Sequence, residues 1–114
     1  MTVSFNGFNE SVLTFKTIAK IESGTFVKMS GNGTVAACES GDEIIGVVIS
    51  GDENHAAVQV GGVVTAPVAS GVTGLTPGFN ILTANGKNIL LDDDSCVINR
   101  LVLSVDTNKI TFIL

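Results

Sequence analysis

The stretch that decides the fold is residues 44–68, with the sequence IIGVVISGDENHAAVQVGGVVTAPV. It holds an apolar run at its start, a polar break at Gly51–Asn54, and two further apolar segments joined by Gly61-Gly62. No 3.6-residue period runs through it, and β-branched residues dominate, which is typical of strands with half-buried, pleated surfaces. The stretch therefore predicts the central strands of a small all-β domain.

Turn sequences at short intervals predict further strands on both sides. Gly31-Asn32-Gly33 and Asn85-Gly86 combine residue types that tolerate the positive φ of a tight hairpin. Pro77-Gly78 matches a type II turn, and 106–108 separates two apolar segments at the end of the chain. This spacing predicts an all-β, small single-domain β-barrel or β-sandwich-like (tulip-like) module of short strands with Gly-rich turns, without helices.

The N-terminal part of the chain predicts one more strand and a separate segment before it. In the range 13–22 apolar residues alternate with polar ones at Leu13, Phe15, Ala19 and Ile21, and Thr17 and Ile18 break the alternation. Residues 1–12 carry Val3, Phe5 and Phe8 without a regular pattern. They form either an edge strand over the core or an arm that docks its aromatic side chains on another chain. We therefore divide the chain into an arm or edge segment, 1–12, and one β domain, 13–114.

The charge balance disfavours two classes of partner. The 114 residues carry 6 Lys and Arg against 11 Asp and Glu, a formal charge of −5, with no basic cluster. Binding to nucleic acid requires a basic surface that displaces counterions from phosphates, and an acidic lipid surface fits equally badly. The apolar runs also fall short of the roughly 18–20 residues of a membrane span. We expect neither nucleic acid nor membrane as partner.

The N-terminus shows no pattern of a secretory signal, so we expect use without export. In that setting Cys38 and Cys96 are expected to be reduced, buried thiols. A hydrophobic fraction of 45% in so short a chain predicts apolar surface patches, which usually mark a partner or an oligomer.

The residues that could carry metal chemistry lack the necessary spacing. His55 is the only histidine and lies in the polar segment 52–55, which we interpret as a solvated loop. Cys38, His55 and Cys96 are not paired in the way that zinc ligands are. Asp92–Asp94 lacks the alternating acids and central Gly of a calcium loop, and we interpret it as a solvated loop too.

Cofactor attachment and phosphate binding are equally poorly supported. Lys28 has a superficial likeness to the lysine of biotin carrier domains, but it precedes the turn and no Met stands before it. The segment VGGVVTAP lacks the Gly-x-Gly-x-x-Gly spacing of a phosphate-binding loop. We predict no catalytic residue, no cofactor and no metal, and therefore a protein that is not an enzyme.

Four segments of the sequence, taken in order, are similar to those of a known protein family. They are GTFVKMSGNGTV at 24–35, DEIIGVVISGDENHAAVQVGGVVTAPV at 42–68, GLTPGFNILTANGK at 74–87 and RLVLSVDTNKITFIL at 100–114. In this order the chain resembles the small capsid decoration proteins of tailed bacteriophages and a related prophage domain of unknown function. The likeness covers residues 20–114 and is carried by glycines and apolar spacings.

The resemblance implies a barrel-like module on the outer capsid surface of the virion, made in the host cytoplasm. Such a module binds the major capsid protein, often as trimers, and stabilises the head against internal DNA pressure. An N-terminal arm could add a strand to a capsid sheet edge. Val3, Phe5 and Phe8 are the capsid-contact candidates, although no family motif matches at the N-terminus.

Two other classes of function remain open. One is another phage structural module, such as a head-fibre base, tail or adaptor domain. The other is a bacterial small-ligand-binding or carrier domain, or a small enzyme. Copy number per particle separates the first from a decoration protein, and a covalent adduct on Lys28 would indicate a carrier.

Overall fold

Eleven β-strands and their turns make up the described part of this computed structural model, which covers residues 11–39, 42–72, 74–91 and 99–114. No helix occurs among these residues. The strands are β1 Ser11–Lys16, β2 Phe26–Gly31, β3 Thr34–Ala37, β4 Asp42–Glu43, β5 Gly46–Gly51, β6 His55–Gly61, β7 Val63–Pro67, β8 Gly78–Asn85, β9 Asn88–Leu91, β10 Asn99–Val105 and β11 Lys109–Ile113.

Five strands close into a barrel in the order β1-β3-β2-β5-β6. Most neighbours are antiparallel, and β1 pairs with β6 along its whole length, from Ser11 opposite Gly61 to Lys16 opposite His55. The exception is the parallel contact between β1 and β3, whose register is limited to Lys16 opposite Thr34. The barrel is therefore firmly closed on the β6 side of β1 and held by one bridge on the β3 side.

The remaining strands form a curled sheet in the order β4-β8-β10-β11-β7, with β9 also paired to β8. Leu91 of β9 lies opposite Leu82, and Asn99 of β10 lies opposite Ile81. Consequently β9 and β10 follow one another along the same edge of β8. A parallel bridge from Val68 to Ile89 brings the end of β7 to β9, which curls the sheet back on itself.

Two apolar cores explain why the central sequence reads as a continuous apolar run. In β2 and β5, Val27 and Val48 pack inside the barrel, while Phe26 and Val47 pack into a second core against the curled sheet. Because successive side chains of a strand point to opposite faces, a strand covered on both faces needs apolar residues at adjacent positions. The barrel core also holds Val35, Ala56 and Val58, and the second core includes Ile44, Val64, Leu82, Ile89, Val102, Ile110 and Phe112.

The turn between β8 and β9 inserts into the barrel wall. The Cys38 amide donates to the Phe26 carbonyl at 2.8 Å, as in an ordinary ladder between β2 and β3. The Phe26 amide donates instead to the Gly86 carbonyl at 2.9 Å, and the Gly86 amide donates to the Cys38 carbonyl at 2.8 Å. Gly86 adopts φ +62°, which an L side chain rarely accepts. It therefore occupies a place in the barrel ladder and ties the curled sheet to the barrel.

The structure confirms the all-β fold and its barrel. The central stretch forms β5, β6 and β7, and Gly62, with φ +89°, leads the chain from the barrel into the curled sheet. The hairpins expected at Gly31-Asn32-Gly33, at Asn85-Gly86 and at 106–108 are all present. The boundary placed after residue 12 stays a prediction, and the first described strand begins at Ser11.

Two expectations about element bounds are wrong. The strand predicted over 13–22 ends at Lys16: the Thr17 amide still donates to the Asn54 carbonyl at 2.9 Å, in register with the β1–β6 ladder, but residues 17–22 belong to no strand. The polar segment 39–43 before Ile44 predicts a loop, but it ends in the short strand β4, whose Asp42 and Glu43 pair with β8.

Candidate functional site

His55 lies at the start of β6, with an exposed side chain. Its solvent exposure agrees with the sequence interpretation, but its place in a loop does not, since the ladder to β1 already includes it. The Asp52 Oδ1 atom accepts the amides of Asn54 at 2.8 Å and His55 at 2.9 Å. These two hydrogen bonds lower the pKa of the Asp52 carboxyl below its ordinary value. The segment is therefore a hairpin stabilised by a carboxylate.

Replacing Asp52 with Asn should make unfolding less dependent on pH in the acid range. Because the folded-state pKa of Asp52 is lowered, its contribution to the free energy of unfolding is present above the unfolded-state pKa and is lost as pH falls through the folded-state pKa. Urea unfolding of the wild type and Asp52→Asn between pH 3 and pH 7 measures this. Glu53→Gln, which removes a charge from the same hairpin, is the control. A difference between wild type and Asp52→Asn that grows on acidification would contradict the assignment.

Cys38 is a buried free thiol at the end of β3. Its Sγ atom lies 3.6 Å from the Glu43 carbonyl oxygen. Burial, with the nearby Asp42 charge as a further cause, raises the pKa of the thiol to about 12. A thiol that stays protonated at neutral pH is a poor nucleophile and a poor metal ligand, so Cys38 is a core residue. Cys96 lies outside the described residues.

Cys38 should resist alkylation in the folded protein. In a Cys96→Ser variant, in which Cys38 is the single thiol, reaction with iodoacetamide at pH 8 should be about 1000-fold slower than in the same protein unfolded by guanidinium. The reason is the small thiolate fraction at a pKa of about 12, together with burial. Mass spectrometry over time measures the rate. Equal rates in the folded and unfolded protein would show that the thiol is accessible.

Lys28 lies within β2 and forms an ion pair. Its Nζ atom lies 2.7 Å from Asp42 Oδ2, which also accepts the Glu39 amide at 2.8 Å. The hydrogen bond to Asp42 raises the pKa of Lys28, and the hydrogen bond from Lys28 lowers the pKa of Asp42. Lys28 is thus a structural partner of β4 and does not stand at a hairpin tip.

Clusters of metal ligands and membrane-spanning helices are both absent from the described parts of the chain. Within them no group of three or more His, Cys, Asp or Glu side chains could hold a metal ion. Asp92–Asp94 lie outside these ranges. Nor do the described residues form a helix that could cross a membrane.

A row of apolar side chains crosses the outer face of the curled sheet. Val63 pairs with Ile113, and Leu101 pairs with Phe79, while the pair Val102 and Phe112 places Leu101 next to Ile113. The alternate residues of the same strands point into the second core. We call the four residues Val63, Ile113, Leu101 and Phe79 the outer row. Phe79 is 73% exposed, and the other three are partly exposed.

An apolar groove opens where the barrel is held by a single bridge. It has a volume of about 240 Å³ and lies between the segment after β1 and the edge of β3. Ile18 at its rim is 90% exposed. We call it the seam groove; its lining residues are Ile18, Ala19, Lys20, Ile21, Val35, Ala36 and Ala37.

The sequence-predicted contact residues Val3, Phe5 and Phe8 lie outside the described residues. The point where their segment joins the domain is nevertheless defined. Ser11 pairs with Gly61, and the Leu114 amide donates to the Gly62 carbonyl at 2.9 Å. The segment before Ser11 therefore joins the domain beside Val63, at one end of the outer row.

Comparison with known proteins gives no match: no family model, no curated protein and no solved structure is significantly similar to this chain.

Sequence reasoning did not single out the outer row or the seam groove. A signal for the outer row exists, because RLVLSV and ITFIL place apolar residues on both faces of β10 and β11. The seam groove has no comparable signal. It arises from the contact between β1 and β3, which are distant in sequence, and from the end of β1 at Lys16.

Proposed function

We propose that the chain is a non-enzymatic capsid decoration protein that binds the major capsid protein on the outside of a phage head. The outer row carries this proposal. One face of the curled sheet fills the second core, and the other presents apolar side chains aligned across four strands. An exposed apolar surface with an aromatic residue at one end is a common feature of protein–protein interfaces.

The composition and the resemblance support the same proposal. The chain carries a net charge of −5, and its titratable groups at Asp52, Lys28 and Asp42 serve hairpin and strand contacts. Three parts of the proposal rest on the resemblance to decoration proteins: the major capsid protein as partner, the location on the head surface and the assembly as a trimer. A small surface repeated over a capsid lattice gains avidity, so each contact can be modest.

The N-terminal segment would extend this surface. It joins the domain at Ser11 beside Gly61, next to the Val63 end of the outer row. Val3, Phe5 and Phe8 would thus contact the capsid next to the sheet face that Phe79 and Leu101 present. Aromatic anchors of this kind often dominate interface energies.

Copy number in purified particles tests the proposal. Particles from a producing culture would be isolated on a density gradient, and the chain would be quantified by mass spectrometry against the major capsid protein. A ratio near one, or near one-third, is expected for a decoration protein. A ratio of a few per cent would assign the chain to a tail or fibre, and absence from particles would reject a virion role.

Single substitutions then test the outer row. Phe79→Ser should weaken binding to heads stripped of this protein at least tenfold, since it removes the most exposed aromatic side chain of the row. Ile49→Ser, at a 47% exposed position of the barrel, is the matched control and should bind as the wild type does. Equal losses in the Phe79 and Ile49 variants would remove the outer row from the contact.

A deletion tests the N-terminal segment. Removing residues 2–10 should leave β structure by circular dichroism and abolish head binding.

A further inference from the structure

The edge of β3 presents peptide groups toward the seam groove. The Cys38 amide donates to Phe26, and hydrogen bonding alternates along an antiparallel ladder. Ala36, opposite Lys28, therefore faces β2, whereas the Ala37 N–H and C=O point away from it. Thr34 at the start of β3 meets β1, but Ala37 lies beyond that bridge.

The neighbouring strand does not continue far enough to cover this edge. β1 ends at Lys16, whose amide donates to the Gly33 carbonyl at 2.8 Å, and its register with β3 is limited to Lys16 opposite Thr34. Among the described residues, no backbone hydrogen bond reaches the Ala37 peptide from the side of β1. The edge of β3 is thus open over a short length, directly beside the apolar walls of the seam groove.

An open edge beside an apolar groove suits an added strand. The incoming backbone would pair with the Ala37 peptide, and alternate side chains would enter the groove between Ile18 and Val35. The Ile18 side chain is 90% exposed in the isolated domain, so an added strand could cover it and make an apolar contact with it.

We propose that the seam groove binds the N-terminal segment of a second copy of this chain. The side chains of Val3 and Phe5 of that second copy would enter the groove. These two apolar residues stand two positions apart, so in a strand they point to the same face. Ten residues precede Ser11, enough to leave one domain and reach another. The occupant of the groove is therefore a segment that every copy carries.

The length of the N-terminal segment favours binding to the groove of a second copy over binding to the groove of its own chain. From Ser11 to Lys16, β1 spans roughly 17 Å at about 3.3 Å per residue, and the groove opens beyond Lys16. Phe8 of the same chain, three residues before Ser11, reaches only about 10 Å. Phe5 reaches about 20 Å when fully extended, which leaves only about 3 Å for the reversal of direction that it would need.

This exchange goes beyond the proposed function, because it requires no capsid. The same residues are also the proposed capsid contact, so the two uses exclude each other. An assay on the purified chain alone tests the exchange, and head binding tests the function separately.

The experiment compares self-association with binding of a peptide. Sedimentation of the purified chain should show oligomers, while the chain lacking residues 2–10 should be a monomer. A fluorescein-labelled peptide of residues 1–10 should bind the shortened chain by anisotropy. Ile18→Asp should weaken this binding at least tenfold, and so should Phe5→Ser in the peptide, whereas Ile49→Asp should change it less than twofold.

Each outcome bears on the proposal. If the shortened chain does not fold, full-length Ile18→Asp and Ile49→Asp are compared by sedimentation, and only the former should lose the oligomer. A peptide that binds Ile18→Asp undiminished would overturn the site. A peptide that binds while the full chain stays monomeric at all concentrations would place the segment in its own groove and overturn the exchange. Oligomers without peptide binding would assign association to another surface.

Discussion

Replacing Gly46 with Ala is expected to lower the free energy of unfolding by about 3 kcal/mol and the melting temperature by roughly 10 °C. Gly46 is buried in β5, where the barrel wall lies directly against β6. An added Cβ atom would overlap the Gln59 carbonyl oxygen and lie 2.6 Å from Cγ1 of Val58. The oxygen belongs to the backbone, so it can yield only if the two strands separate. Urea and thermal unfolding followed by circular dichroism measure the loss.

Gly31→Ala is the matched control for this prediction. Gly31 is exposed at the end of β2, and an added Cβ atom would meet only Thr34 Cβ at 3.9 Å, an ordinary contact distance. The change should alter stability by less than about 0.5 kcal/mol. If Gly46→Ala is as stable as Gly31→Ala, the close approach of β5 and β6 at Gly46 is wrong.

Replacing Phe112 with Ala should cost about 3–5 kcal/mol of unfolding free energy. Phe112 is fully buried in β11, and its ring packs against that of Phe26, with centroids 6.1 Å apart and planes at 34°. Phe26 belongs to the barrel and Phe112 to the curled sheet, so the substitution leaves a cavity between the two parts. Chemical unfolding with a two-state fit gives the difference.

Phe79→Ala removes the same side chain from an exposed position. At 73% exposure Phe79 contributes little to the core, and its replacement should change stability by less than about 0.5 kcal/mol. The pair thus separates a phenylalanine that holds the fold together from one that is available to a partner. Similar losses at both positions would contradict the assignment of Phe79 to the outer surface.

The fold was predictable from sequence wherever the signal was local. Gly31-Asn32-Gly33 and Asn85-Gly86 are short-range hairpin signals, and the structure has a hairpin at each. The alternation after Leu13 fails at Thr17, where β1 does end, so the break in the pattern was the better guide than its continuation. The apolar run from Ile44 correctly predicted a strand, but with a half-buried surface, whereas Val47 and Val48 of β5 pack into different cores.

The assembly of the strands was less accessible. Nothing in the sequence around Lys16 shows that it meets Thr34, because that pairing depends on barrel closure between distant residues. The same reason hides the seam groove. The outer row could be recognised only from the structure. From sequence alone, an apolar residue such as Leu101 or Ile113 is expected in the core, because the sequence does not show which face of its strand is covered.

The insertion of Gly86 between Phe26 and Cys38 has a consequence for how the molecule folds. The hydrogen bonds of the β2–β3 hairpin are incomplete until a turn from the second half of the chain arrives. Neither half can therefore complete its own structure first, which favours a single cooperative transition governed by long-range contacts. A proteolytic cut in either half should therefore unfold the barrel and the curled sheet together. For the same reason, the barrel alone is a poor choice for separate expression.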